Sequence, residues 1–432
     1  MMLRKHFLTG LLGLLLMTGL TSCLKDSCET STTYIRYDPQ YINGKELRKD
    51  ILPEAPRAIK DAGKIYVYEE YLFINEPEEG FHIVDNRNPK APVPVAFVPI
   101  PGNIDMAVRN NILYADSWVD LVMINIEDPK NPKFAGRVKD AFPNYGVDPE
   151  KGYLVTYKET ETTEVVPSCD QGGIVFFRGG GLWLQADAAI RTFSNGSASG
   201  SKVGAPGGST VGIGGSTARF TITANHLYTV DRSNLRVFSL LNATEPKMAS
   251  NVGIGWDIET IYPYEDKLFI GGMSGMQIFD ATDPEAPKFL ANFQHARACD
   301  PVVAQGNRAY VTLREGTVCQ GFNNQLDVLD ITEITNPKLL TTYKMHKPIG
   351  LSITGDVLMI CDSDEGLKVF DAKDDFAIDK NQLSHLDDFD AFDVIALEKE
   401  GLAIITGKNG IYQYDYSNPK KMVRLSVLNV SK

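Results

Sequence analysis

The residues of this chain whose types could do chemistry are few and scattered. The six histidines, His6, His82, His226, His295, His346 and His385, include no H-E-x-x-H and no i, i+4 pair, so spacing alone gives no zinc site. No G-x-S-x-G elbow is present, and none of the six cysteines forms C-x-x-C. Asp362-Ser363-Asp364-Glu365-Gly366 resembles a calcium loop only faintly, because it lacks the Asx before the Gly and the distant Glu. A hairpin turn is expected there. The Gly/Ser-rich stretch from Ser168 to Ser216 lacks the G-x-x-x-x-G-K-[ST] order and follows no strand–helix pattern, so it reads as a flexible surface loop rather than a phosphate cradle. What remains is a set of polar and aromatic residues at recurring places: Asp105, Trp118, Trp256, Glu259, His295, Arg297, Asp300, Arg314, His346 and Asp393. Asp116, Arg232, Asp257, Lys347 and Asp390 fall at similar places. Converging carboxylates could hold calcium, which takes about six to eight oxygens. Carboxylates with Trp and Arg could instead grip a sugar or a peptide. The plain alternative for each is a solvated loop residue or a strand-end hydrogen bonder.

Such residues act together only if the fold brings them to one place, and the repeat that would do so is plain. A short apolar strand, an Asp or Asn, and a Pro-containing turn return as GFHIVDNRNPKAP from Gly80, DLVMINIEDPKNP from Asp120 and GMQIFDATDPEAP from Gly275. QLDVLDITEITNP from Gln325 and GIYQYDYSNP from Gly410 are further copies. Aligned on the last residue of that strand, Asp85, Asn125, Ser239, Asp280, Asp330, Asp371 and Asp415 lie 40, 114, 41, 50, 41 and 44 residues apart. Residues 121–126 are apolar at most positions rather than alternating, which suits a strand covered on both faces. Proline presets φ and gives no donor to a ladder, so the Pro-rich phrase belongs between strands.

Four short strands per period, with no helix of any length between them, make a propeller blade. The predicted fold is therefore an all-β, seven-bladed β-propeller spanning residues 61–432. The long gap holds an insertion, about 141–216, in which NYGVDPEKGYLVTYKE from Asn144 resembles the first hairpin of a blade, so eight blades remain open. The sixth period, after GLKVFDAKDD, loses its prolines but keeps its place. In a propeller the first strand of each blade lines the central channel. The loops leading into those strands share a face with the second-to-third-strand loops, so the residues named above would gather at the channel mouth.

The ends of the chain speak to location. Arg4, Lys5 and His6 precede an apolar stretch, Phe7 to Leu20, too short and too broken by glycine for a comfortable membrane span. It ends at Leu20-Thr21-Ser22-Cys23, which resembles the bacterial lipobox; that resemblance implies a signal peptide over 1–22 and acylation, palmitate included, at Cys23. Residues 23–60, with Pro39, Pro53 and Pro56, read as a lipidated tether. The full chain carries a net charge of −12, and loss of Arg4 and Lys5 makes it −14. That balance argues against nucleic acid and against adhesion to anionic lipid. Export permits disulfides. Cys299 and Cys319 flank one predicted hairpin and form the candidate pair, with two buried thiols as the alternative.

FHIVDN, LVMINI, VFSL, QIFD, DVLDI and KVFD, each feeding a turn, resemble LVIVD repeats over roughly residues 64–428. That resemblance implies a propeller lipoprotein of the bacterial surface, of the Bacteroidetes type, anchored to the outer membrane on its periplasmic or surface side. The family has no assigned activity, so it supplies no catalytic residues. Three functions stay open: a binding or scaffold module for a protein or glycan, a propeller hydrolase or lyase with a metal-assisted site at the channel mouth, and an accessory subunit of an outer-membrane complex.

Overall fold

A computed structural model of the chain describes residues 30–143, 146–166, 211–255, 258–273, 275–294, 301–315 and 323–431. Among these residues the fold is all-β, with one short helix, Gly44–Leu47, and a 3₁₀ turn, Ile378–Lys380. No described helix is long and apolar enough to cross a membrane. The repeats form antiparallel meanders of four strands, in the order in which they occur along the chain. In chain order these sheets span residues 65–99, 106–138, 220–253, 258–294, 302–344, 351–386 and 391–429, and are called the first to the seventh sheet below. The first carries an additional strand, Ile213–Gly214, along its innermost strand, Ile65–Tyr68.

The repeated phrase is a turn code, and its carboxylates work locally. The N–H groups of Arg87, Glu127, Thr282, Thr332, Lys373 and Ser417 donate to Oδ1 of Asp85, Asn125, Asp280, Asp330, Asp371 and Asp415 at 2.8–3.2 Å. Each is an Asx turn, in which the side chain imitates a backbone acceptor. A second Asx turn follows at Asn88, Asp128, Asn242, Asp283, Asp374 and Asn418, at 3.0–3.3 Å. Between the third and fourth strands of every sheet the register slips just before the aligned residue, as at Ile83/Val84, Ile278/Phe279 and Gln413/Tyr414. Such bulges bend and twist the outer strand. The sixth sheet keeps both Asx turns without prolines, and the 3₁₀ turn with buried Ile378 fills their place. At Asn110 and Asn111, both with positive φ, the chain makes a tight hairpin that asparagine tolerates.

Innermost strands are buried along their length, as in Ile65–Tyr68, Met106–Arg109 and Leu351–Thr354. Sheet faces pack on one another through continuous apolar clusters. One cluster joins Ile65, Leu72 and Ile74 of the first sheet to Ile395, Ile404 and Ile411 of the seventh. Asn86 and Gln413 exchange amide hydrogen bonds of 2.9 and 2.7 Å across the same junction, and Ile59 bridges Val430 in parallel.

The chain forms two compact units. Of the described residues, the smaller takes 30–40 and 156–166. Within it Thr33 bonds Thr163, and Asp38 accepts from Thr160 at 2.9 Å. The strands Thr30–Ile42 and Gly152–Val166 lie side by side in a three-stranded sheet completed by Val147–Asp148. The hairpin that resembles the start of a blade therefore pairs with the N-terminal strand rather than opening a four-strand sheet.

Candidate binding face at the strand inlets

Loops leading into the innermost strands and the second-to-third-strand turns open at the same end of the larger unit. The structure places Asp105 there, but inside: it is 3% exposed. Its Oδ2 accepts from Lys64 Nζ at 2.7 Å and from the N–H groups of Arg219 and Phe220, and its Oδ1 accepts from Met106 N. One carboxylate thus ties the first, second and third sheets together. Burial pushes the Lys64 ammonium below its usual pKa, and the facing Asp105 carboxylate opposes that shift. Beneath it, Asp116 Oδ1 accepts from Ile104 N at 2.8 Å, Asp105 N at 3.0 Å and Asn103 Nδ2 at 2.8 Å. Burial outweighs these donors and raises Asp116 to about 6. Asn103 in turn accepts from Asn75 at 2.8 Å.

The sixth sheet repeats the device. Buried Asp362 accepts from Lys347 N at 2.6 Å, His346 N at 3.1 Å and Lys368 Nζ at 2.6 Å. Above it His346 is exposed and bonds Asp364 at 2.9 Å, with Glu365 at 3.7 Å from its other ring nitrogen. Trp118 turns the second-to-third-strand hairpin at φ 57, half-buried, with its indole against Gly102. A Cβ at Gly102 would come within 2.2 Å of that ring, and its φ of 77 also favours glycine. Burial pushes the Arg314 guanidinium down and the Glu259 carboxylate pushes it back up, so these two residues of neighbouring sheets share a field. Asp393 is wholly buried beside Thr406 of the next strand. Trp256, His295, Arg297 and Asp300 lie outside the described residues, as do Cys23, Cys299 and Cys319. Cys361 is a buried free thiol, raised well above its usual pKa by burial and by the Asp393 and Asp362 carboxylates. Among the described residues no three His, Cys, Asp or Glu side chains converge as metal ligands do.

Sequence reasoning missed Lys64, Asn103, Asp362 and the latch that holds the N-terminal segment. There Arg48 grips buried Asp120 through two bonds of 2.9 and 3.0 Å, and Arg137 and Asp140 N complete its shell. Only the helix cap was legible locally: Asn43 accepts from Lys45 N and Glu46 N, as an N-cap should.

The close of the Gly/Ser stretch is also not a surface loop. Gly212 N donates to Val108 O of the second sheet at 3.0 Å, and Ile213 and Gly214 pair with Val67 and Tyr66 of the first. Leu351 N of the sixth sheet reaches Ser216 Oγ at 3.4 Å, and Ile261 N of the fourth donates to Ala218 O at 2.8 Å. A segment that meets the innermost strands of four sheets runs through their centre. Glycine makes this possible, because side chains at 212 and 214 would meet the Tyr66 ring at 2.2 and 2.8 Å.

Comparison with known proteins bears on this geometry. Residues 59–96 and 297–345 match the LVIVD repeat. These stretches fall on the first and fifth sheets. No match was found among curated proteins. The computationally designed Ika8 protein is similar over 87% of this chain and 90% of its own, at 8% identity and a TM-score of 0.50. Sqt1 of Saccharomyces cerevisiae is similar over 90% and 88%, at 7% identity and a TM-score of 0.50. PorZ, a surface component of the type-IX secretion system of Porphyromonas gingivalis, is similar over 86% of this chain and 39% of its own, at 12% identity and a TM-score of 0.49. At these identities the likeness is one of fold, that of propeller-like repeat proteins.

Proposed function

We propose that this chain is a binding or scaffold module of the cell envelope: a seven-bladed propeller, lipid-anchored through Cys23 to the outer membrane, that presents its inlet face to a protein or glycan. One observation carries the reading. The inward-turned carboxylates of that face, Asp105, Asp116 and Asp362, are spent on backbone N–H groups of the inlet loops and on Lys64 and Lys368. What stays accessible is Trp118, Glu259, Arg314 and His346, each on a different sheet. Groups spread this way suit a broad contact with a large ligand better than a single reacting atom.

The test is thermal unfolding of the domain without its anchor, against calcium, glycans and peptides. A ligand at a hundred times its Kd adds about 2.7 kcal/mol, roughly 3 °C for a domain this large. A shift abolished by His346→Ala or Trp118→Ala supports the reading. Turnover of any of the glycans would overturn it in favour of an enzyme. For the anchor, Cys23→Ser should release the chain from the membrane fraction and stop incorporation of labelled palmitate, and retention with label would refute that assignment.

A further inference from the structure

The segment Val211–Ala218 fills the centre of the sheets, and its larger apolar side chains, Val211 and Ile213, pack part-buried against the apolar clusters of the surrounding sheets. Its sequence, VGIGGSTA, offers no aromatic and no leucine. Val211 to Gly214 are only half-buried, whereas Gly215 to Ala218 are buried. Polar contacts from separate sheets hold its backbone: Tyr66 Oη donates to Gly212 O at 3.0 Å, Gly212 N to Val108 O, Leu351 N to Ser216 Oγ and Ile261 N to Ala218 O. The Tyr66 ring reads positions 212 and 214 by excluding any Cβ. Innermost strands of the sheets, by contrast, bury residues such as Ile65, Met106 and Leu351 completely or nearly so. A strand bound through hydrogen bonds and shape, without deep side chains, has the chemistry of strand addition to an open edge.

We propose that the centre of the larger unit is a strand-accepting site that the chain fills with its own 211–218. The site selects an extended segment of the form G-x-G-x-S: glycine at two alternate positions under Tyr66, and a hydroxyl that meets Leu351 N. The segment is displaceable, and a partner strand of that chemistry can take its place. This goes beyond the proposed envelope role and stands without it.

The experiment uses the whole chain with Gly212→Val and Gly214→Val, which Tyr66 excludes, and a labelled synthetic VGIGGSTA peptide followed by fluorescence anisotropy. The variant should bind the peptide saturably, at least tenfold more tightly than VVIVGSTA, and the unaltered chain should bind it more weakly, because its own segment competes. Failure of a folded variant to bind, or equal binding of both peptides, overturns the proposal. If the variant does not fold, hydrogen exchange of the unaltered chain decides. Amides at 212–218 exchanging at least tenfold faster than those of Val108 and Ser352 support a displaceable segment. Equal protection means a permanent core strand and overturns it.

Discussion

Asp116 offers a sharp test of how the inlet face is built. Its carboxylate takes three N–H donors on one oxygen, yet burial and the neighbouring Asp105 charge raise it from 3.8 to about 6. Between those values the folded chain holds a proton that the unfolded chain has released. Stability from this residue is therefore greatest at low pH and falls as pH rises from about 4 to 6. A shift from 3.8 to about 6 corresponds to roughly 3 kcal/mol, and half-burial reduces this to about 1–2 kcal/mol. Asp116→Asn keeps the accepting oxygen and removes the charge. It should therefore stabilise the fold by about 1–2 kcal/mol at pH 7.5, roughly 1–3 °C, and be neutral near pH 4. Asp116→Ala removes the acceptor and should destabilise at both pH values, since three buried N–H groups lose their partner. Denaturant unfolding at pH 4.5 and 7.5, compared as differences from the parent, separates these cases from the many other carboxylates. If Asp116→Asn destabilises by more than about 1 kcal/mol at pH 7.5, the charge itself supports the inlet loop and the reasoning fails.

One further substitution and one labelling experiment probe the same logic. Arg48→Met strips Asp120 of its bidentate partner and should cost about 3 kcal/mol at pH 7, because a buried carboxylate loses its main countercharge. Asp120 is held below the usual carboxylate range by Arg48, Asp140 N–H and Arg137 against the opposing effect of burial. Its contribution is thus present above about pH 4 and lost as pH falls through its lowered pKa, so the variant and parent should converge in acid unfolding. Cys361, buried with a raised pKa, should resist maleimide in the native chain and react only on unfolding, as read by mass mapping of its peptide; native labelling at neutral pH would contradict its placement.

The sheets were legible because their signals are local. An Asx turn needs a side chain and an N–H two residues on, so Asp280 with Thr282 is visible within one phrase. The third strand of the second sheet, apolar at most positions from 121 to 126, marks burial on both faces in the same way. The inlet face was not legible at that range. In sequence Asp105 reads as a loop carboxylate, but its partners Lys64 and Arg219 lie 41 and 114 residues away, and nothing near it in sequence announces that its oxygens are used. Residues 211–218 were hidden for a further reason. Glycine and serine signal loops because they leave the chain free, yet the same small side chains are what allow backbone to pass the Tyr66 ring in a crowded centre.

Recurrence itself sorts the polar residues of such a fold. A group found at the same place in several repeats, such as the aligned Asp, is needed by the repeat's own turn and is a poor candidate for function. Asp116 and Asp362 extend this rule to the inlet face, since both accept N–H groups of the loop beside them. Residues that break the pattern divide by burial. Lys64, buried against Asp105, serves the junction of three sheets and is inaccessible to a ligand. Trp118 and His346 break the pattern and keep contact with solvent, and Arg314 pays for partial burial with a pKa pushed down despite Glu259. Aromatic and arginine side chains held part-way out of water are the groups that gain most when a partner finishes their burial. The proposed contact on this face therefore rests on the residues the repeat does not need.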